Sequence, residues 1–212
     1  MSDAFVAGLV LAAGGSSRLG RPKQLLPYNG ATLLDHTVDT ARACEFDQLI
    51  VAIGGEADKV RERVDLSGTE VVVNRGFGAG CSSSIAAAMA ALDPHATDLV
   101  LLLGDQPGVT AATVRTLVAA RGSAPLAVCR YEDGRGHPFA FGREVFGDLR
   151  SLHGDKAVWK LLEQRGDAVA EVPVAGAVPL DVDTWDDYEA VLDTIRPRGY
   201  GRAGSRRSGV TT

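Results

Sequence analysis

Four apolar runs rich in Val, Ile and Leu, over residues 5–11, 48–53, 70–73 and 98–103, alternate with segments of helical period at 33–44, 57–64 and 83–92. Short continuous apolar runs of this kind are the pattern of strands covered on both faces, and the segments between them are long enough for crossover helices. The order β-α-β-α-β-α-β with short connections therefore predicts a three-layer α/β fold, a mostly parallel Rossmann-like sheet flanked by helices. A further helix is expected over 110–120. The second half is less regular. Short strands are expected at 126–130 and 138–141 around the turn 132–136, a helix over 155–163, a strand over 168–174 and a short one at 181–183. Thr184 then stands as an N-cap with Asp187 at the capping-box position of a last helix running to Ile195.

A chain of 212 residues suits one large domain, expected over 1–196. Residues 197–212 are Gly, Arg and Ser with almost nothing apolar, which predicts a basic, disordered tail. The net charge of −5 hides an asymmetry, because the five arginines from Arg196 onward face no acid and the body before them carries −10. An acidic body argues against sequence-independent nucleic-acid binding. No apolar run approaches the roughly 20 residues of a membrane span, and Asp3 stands where an export signal needs a basic segment. Cys44, Cys81 and Cys129 are widely spaced, which points to a reducing compartment, the cytoplasm, and away from structural zinc.

The first strand runs into Leu11-Ala12-Ala13-Gly14-Gly15-Ser16-Ser17-Arg18-Leu19-Gly20-Arg21-Pro22-Lys23. Gly15 and Gly20 have the spacing of a Walker A loop, but Arg21 and Pro22 replace its Lys and Ser/Thr, which disfavours a P-loop kinase. The dinucleotide fingerprint fails as well, since Arg18 holds the place of its third glycine. What remains is a tight turn at the carboxyl end of a strand, where open α/β sheets bind ligands, with hydroxyls and two cations beside unpaired amides. The loop is suited to a polyphosphate gripped by backbone N–H groups, Arg18 and Lys23.

Two acidic strand ends complement it. Asp105 follows the strongly apolar run 98–103 and precedes Gln106-Pro107, so it faces the same crevice. Asp181 and Asp183 point to one side of their short strand by its period of two. Mg²⁺ bound with a triphosphate takes one or two carboxylates plus phosphate oxygens. Asp105 and Asp183 are the candidate metal ligands, with Asp181 ranked below them. Asn74, Ser82 and Ser83 are candidates for reading base or ribose, although serines before a helix also serve as caps. Cys81 sits at a helix start, where a dipole lowers a thiol pKa, but packing of a small residue explains it better.

The glycine-loop stretch resembles, with one residue fewer between Ser17 and Arg18, the N-terminal signature LxAGGxSxRxGxxK of nucleotidyltransferases that activate small molecules with a nucleoside monophosphate. The stretch from Asn74 to Ser84, the Gly104-Asp105-Gln106-Pro107 turn and Gly136-His137-Pro138 resemble, within that group, the molybdenum cofactor cytidylyltransferases, and the likeness extends over about residues 5–195. The resemblance implies the nucleotide-diphospho-sugar transferase fold, catalytic Arg18, Lys23 and Asp105, and nucleotide contacts from Leu11, Ala12, Ala13, Gly14 and Gly15. It further implies acceptor contacts from His137 and Asp155, Mg²⁺ as cofactor, CTP and a molybdopterin-type acceptor as substrates, and a molybdoenzyme or its chaperone as a protein partner. Ala157 and Trp159 depart from the pattern, where Gly and Arg are usual, which touches the acceptor more than the nucleotide. Guanylyl transfer to the same acceptor, nucleotidyl transfer to a sugar or alditol phosphate, and a non-catalytic nucleotide-binding regulator remain as alternatives.

Overall fold

The structure, a computed structural model, describes residues 4–16, 18–154 and 156–196. The strands are β1 (Val6–Ala12), β2 (Pro27–Tyr28), β3 (Ala31–Thr32), β4 (Gln48–Ile53), β5 (Glu70–Val73), β6 (Asp98–Leu103), β7 (Leu126–Arg130), β8 (Arg135–Gly142) and β9 (Val169–Pro173). The α-helices are α1 (Leu33–Arg42), α2 (Ala57–Arg63), α3 (Cys81–Ala91), α4 (Ala111–Arg121), α5 (Phe146–Arg150), α6 (Ala157–Arg165) and α7 (Trp185–Ile195). Seven strands form one sheet in the order β5-β4-β1-β6-β8-β7-β9, while β2 and β3 make a separate hairpin. Neighbours pair in parallel except β8, which runs antiparallel to both β6 and β7.

The alternation of side chains along β1 divides the core. Ala7 and Leu9, level with Ile50, Leu99 and Leu101, pack against Ile85, Ala88 and Met89 of α3 and Val158 and Leu161 of α6. Val10 and Ala12 face the other way, toward Leu34 and Val38 of α1, Val60 of α2 and Val114 and Leu117 of α4. Both faces of the central strands are thus covered, the physical reason that their sequences are apolar at every position. No helix among the described residues is long and apolar enough to cross a membrane.

The first half matches its sequence-based expectation closely, and β4, β5 and β6 have the expected bounds. Three local differences have physical causes. The strand expected at 138–141 extends over Arg135–Gly142, because β8 lies between two partners and is held along most of its length. The strand expected at 181–183 does not form. That segment is tied by a single backbone bond, Val182 N–H to the Asp105 carbonyl at 3.2 Å, and by the fully buried Val182 side chain. The β2–β3 hairpin, too short to show a strand pattern, emerges instead as a platform. Its Tyr28 joins Leu19, Leu26 and Leu33 in a third apolar cluster with Val182 and Val191, so that α7 docks beside the glycine loop. The expected tail lies outside the described residues.

The capping box of α7 is present in full: the Thr184 hydroxyl accepts from the Asp187 N–H, and the Asp187 carboxylate accepts from the Thr184 N–H at 2.7 Å. The same carboxylate receives the Asp183 N–H at 3.2 Å, so the cap also fixes the backbone that presents Asp183. Thr184→Val should cost about 1 kcal/mol of folding stability in denaturant titration, the usual worth of a cap.

Candidate active site

At the carboxyl ends of β1 and β6 a cavity of about 470 Å³ opens, floored by the backbone from Leu11 through Gly15 and bounded by Leu103, Gly104 and Asp105. Its far wall comes from the loop before α3, through Phe77, Gly78 and Gly80, and from Cys81 and Ser84 on the first turn of that helix. A smaller polar cavity of about 220 Å³ adjoins it beneath the turn Gly14-Gly15-Ser16, with Arg18, Lys23 and Asp183 as its charged walls. Lys23 lines both.

The charged residues meet there although their sources are far apart in sequence. The Lys23 ammonium contacts a carboxylate oxygen of Asp105 and, at 2.8 Å, one of Asp183. Arg18 reaches the second oxygen of Asp183 at 2.9 Å. Burial pulls the Lys23 pKa down, but the charges and hydrogen bonds of Asp105 and Asp183 outweigh it and leave the ammonium above the ordinary lysine value. Asp183 is held below the usual carboxylate range by the Lys23 hydrogen bond first, and by Arg18. Asp181, open to solvent on one side, is pushed up to about 6 by the burial of its inner side and by the neighbouring Asp105 charge. Asp105 and Asp183 grip one ammonium between them, which brings an oxygen of each to the same place. Two hard carboxylates beside a polyphosphate-sized cavity suit a magnesium or manganese ion that draws its remaining ligands from phosphate and water. Among the described residues no group of three or more His, Cys, Asp or Glu could hold a metal without such help.

The loop geometry explains the residues between the motifs. Ser16 adopts a left-handed backbone, φ 49°, and its hydroxyl accepts the Lys23 N–H at 2.9 Å, which ties the turn to the short 3₁₀ helix bearing Lys23. Arg21, in the position of a Walker lysine, lies over the Trp185 ring at 5.4 Å and so fastens the loop to α7. Asn74 is buried and donates to the hydroxyls of Ser83 and Ser84 at 2.8 and 3.0 Å, while its carbonyl accepts the Gly76 N–H. It shapes the loop over the cavity. Ser82 and Ser84 are both buried, Ser83 and Ser84 both accept from Asn74, and of the three it is Ser84 that lines the cavity. The helical step of three from Cys81 to Ser84 is a signal that could have singled it out.

Two more residues carry no motif. Phe77 lays its ring across Gly15 and Gly55, where a side-chain carbon on Gly55 would come within 2.7 Å of the ring. Gln24 sits buried under the glycine loop. No sequence pattern identifies either, because their value lies in contacts that only the folded loop creates.

His137 stands apart from the cavity walls, with its ring 4.1 Å from that of Phe139 and 6.2 Å from that of Trp159. Trp159 meets Phe139 edge to face at 5.1 Å, so the residue that departs from the resembled pattern completes an aromatic cluster. Burial pushes His137 down to about 3, and the ring is neutral at pH 7. Asp155 lies outside the described residues, and the adjacent Gly154 carbonyl faces the Cys81 sulfur at 3.8 Å.

Fold and cavity together define a three-layer α/β protein of the nucleotide-diphospho-sugar transferase type. The chain belongs to the MobA-like NTP transferase domain family, whose pattern matches residues 8–169. Asp183 lies beyond that span, and its place beside Asp105 is a finding of the geometry. The structure of Rv0371c from Mycobacterium tuberculosis H37Rv is 51% identical, with 91% of this chain and 100% of that one covered and a TM-score of 0.85. The same protein has also been solved as a complex with manganese. A nucleotidyl transferase from Methanothermobacter is 27% identical over 90% of this chain and 97% of its own, with a TM-score of 0.75. Nicotine blue oxidoreductase of Paenarthrobacter nicotinovorans is 35% identical over 200 residues, 90% of this chain and 95% of that protein. Against the bifunctional protein GlmU of Paraburkholderia xenovorans the chain spans 41% of that protein's length.

The neutral His137 gives a sign for acid behaviour. Its unfolded-state pKa is near 6.5 and its folded value about 3, so below 6.5 the unfolded chain takes up a proton that the native one refuses. Stability contributed by this residue is present above that pH and falls as the pH is lowered toward 3. His137→Gln should flatten the loss of stability between pH 7 and 5 in denaturant melts; an unchanged slope would show that His137 is protonated in the native state.

Proposed function

We propose that this protein transfers CMP from CTP to the phosphate of a molybdopterin-type acceptor, giving the cytosine dinucleotide and pyrophosphate. The observation that carries the reading is the convergence of Arg18, Lys23, Asp105 and Asp183 at the mouth of the glycine-loop cavity. An oxygen of the acceptor phosphate attacks the α-phosphorus of CTP, the new P–O bond forms and the α–β anhydride bond breaks, with pyrophosphate leaving. A phosphate monoester with a second pKa near 6 is largely dianionic at pH 7 and needs no base to activate it. The site accordingly offers cations and carboxylates for positioning and charge balance, with His137 neutral and packed away among aromatic rings.

The backbone from Leu11 to Gly15 and Ser84 would hold the nucleoside and the α-phosphate, and Lys23 with Arg18 the β- and γ-phosphates. Asp105 and Asp183 would hold the divalent ion, Mg²⁺ in the cell, in keeping with the manganese complex of Rv0371c. What such an ion supplies when bound is neutralisation of the charge shared by reacting and leaving oxygens. Occupation of that place requires Lys23 to turn from the carboxylates to the triphosphate. The resemblance assigns acceptor contacts to His137 and Asp155; His137, packed against Phe139 and Trp159, would shape that side through its neighbours, and a molybdoenzyme or its chaperone would receive the product. The interior of a cell, where CTP and a reducing milieu coexist, is the matching location.

The altered segment at Ala157 and Trp159 favours one further reading, in which the acceptor is a sugar or alditol phosphate. The name of the Paenarthrobacter relative adds a redox rival. Incubation with Mg²⁺, each of the four NTPs and either molybdopterin or alditol phosphates, followed by mass spectrometry, separates them. The dinucleotide and pyrophosphate from CTP alone support the proposal. Another product replaces it, and dye reduction by a reduced nicotinamide nucleotide without pyrophosphate would favour the redox reading.

Asp105→Asn should lower metal-dependent pyrophosphate release by roughly a hundredfold or more, the scale of losing one group that stabilises transition-state charge, while metal-free CTP binding persists. Retained turnover would remove Asp105 from the mechanism. Lys23→Ala should weaken triphosphate binding and turnover together, yet raise affinity for Mn²⁺ alone, because the internal competitor for the two carboxylates is gone; calorimetry with and without CTP reads both.

A further inference from the structure

The Gln24 side chain is almost fully enclosed, and its NH₂ group donates to the carbonyls of Ala12 at 2.7 Å and Gly14 at 3.0 Å. A trans peptide is planar, with its C=O and N–H pointing in opposite directions. Holding the Ala12 carbonyl therefore aims the Ala13 N–H away from Gln24, and holding the Gly14 carbonyl does the same for the Gly15 N–H. Two alternate amides of the loop are fixed in one direction by one side chain. The next residue back, Lys23, donates its backbone N–H to Ser16, so adjacent residues of one 3₁₀ turn fasten the loop at Ala12, Gly14 and Ser16.

We infer that Gln24 is a positioning residue that turns the Ala13 and Gly15 amides into an anion-binding pair for the triphosphate. Glycines at 14 and 15 make the chain free to adopt this shape and equally free to leave it, and a loop that presents amides only part of the time binds an anion more weakly in proportion. Gln24 removes that freedom. Glutamine is the residue type the position demands, because a carboxylate of equal length would set acceptor against acceptor at both carbonyls. The amide oxygen of Gln24 has no partner among the described residues, so the side chain is held in place chiefly by the two bonds to the loop and by packing. The same turn carries the Lys23 ammonium to Asp105 and Asp183, which couples the shape of the loop to the position of its cation.

This inference rests on the triphosphate reading of the loop, and the test separates the two. Binding of inorganic tripolyphosphate and of CTP is measured by calorimetry for the wild type, Gln24→Met and Gln24→Glu, with thermal melts as a check on folding. Gln24→Met keeps the length and loses the donors. It should weaken both ligands at least tenfold, and raise KM for CTP more than it lowers kcat, since the groups bearing on the reacting atoms remain. Gln24→Glu should be weaker still at pH 8 and recover relative to the wild type as the pH falls toward 5.5, where a protonated carboxyl again donates to one carbonyl. Wild-type protein that binds neither ligand overturns the triphosphate reading itself. Wild type that binds, with Gln24→Met unchanged, overturns the inference alone. If Gln24→Met fails to fold, the pH-dependent recovery of Gln24→Glu decides, and a pH profile parallel to that of the wild type counts against the role.

Discussion

The Lys23 ammonium lying between Asp105 and Asp183 is the contact around which the site is organised. Three segments meet there: the turn after the glycine loop, the end of the central strand β6, and the approach to the last helix. Each carboxylate would repel the other without a cation between them, and the enclosed lysine, 13% exposed, removes that repulsion. A buried pair of this kind is a poor source of net stability, since desolvation offsets much of the attraction. In the proposed reaction its value lies in bringing together two carboxylates that a metal–nucleotide complex would share.

The sheet beneath serves that geometry by letting its central strands end together. β1 and β6 are adjacent and parallel, so the loops that follow Ala12 and Leu103 leave the sheet side by side. The reversal of β8 beside β6 then closes the parallel half of the sheet. Phe77 meets the glycine loop from the β5 side, and α7 meets it from the hairpin side. Small residues make close approach possible: Gly15 and Gly55 admit the Phe77 ring, and at Gly54 and Gly104 an added carbon would come within 3 Å of Ala13 or Ala12.

Much of this was legible in the amino-acid sequence, for reasons that differ by element. The buried strands declare themselves because both their faces are covered, and the caps Thr110 and Thr184 because a hydroxyl before a helix has a specific partner. Lys23, Arg18 and the two aspartates show in the sequence because charge at a strand end has few other uses. The segment 181–183 has the composition of a strand yet lies against the end of β6, whose edges are taken by β1 and β8, and sequence periodicity contains no information about which edges are occupied. Gln24, Phe77 and Ser84 were hidden for a related reason. Their roles are defined by neighbours twelve, sixty-two and ten positions away in Ala12, Gly15 and Asn74, and beyond the helical step from Cys81 to Ser84 nothing in their own surroundings in the chain marks them.

Val182 has a single backbone bond to Asp105 and a buried side chain, and that modest clip has a consequence for the order of events in making the molecule. The sheet and both flanking helical layers are complete by the end of β9, before the chain reaches Asp183. A growing polypeptide can therefore own a finished scaffold and an open loop while still lacking one of its two carboxylates. The site closes last, when α7 settles against the hairpin and brings Asp183 to a lysine laid down near the start. Early and late segments of the chain are joined at the candidate site, so a chain interrupted before Asp183 would contain every strand of the sheet and lack one carboxylate of that site.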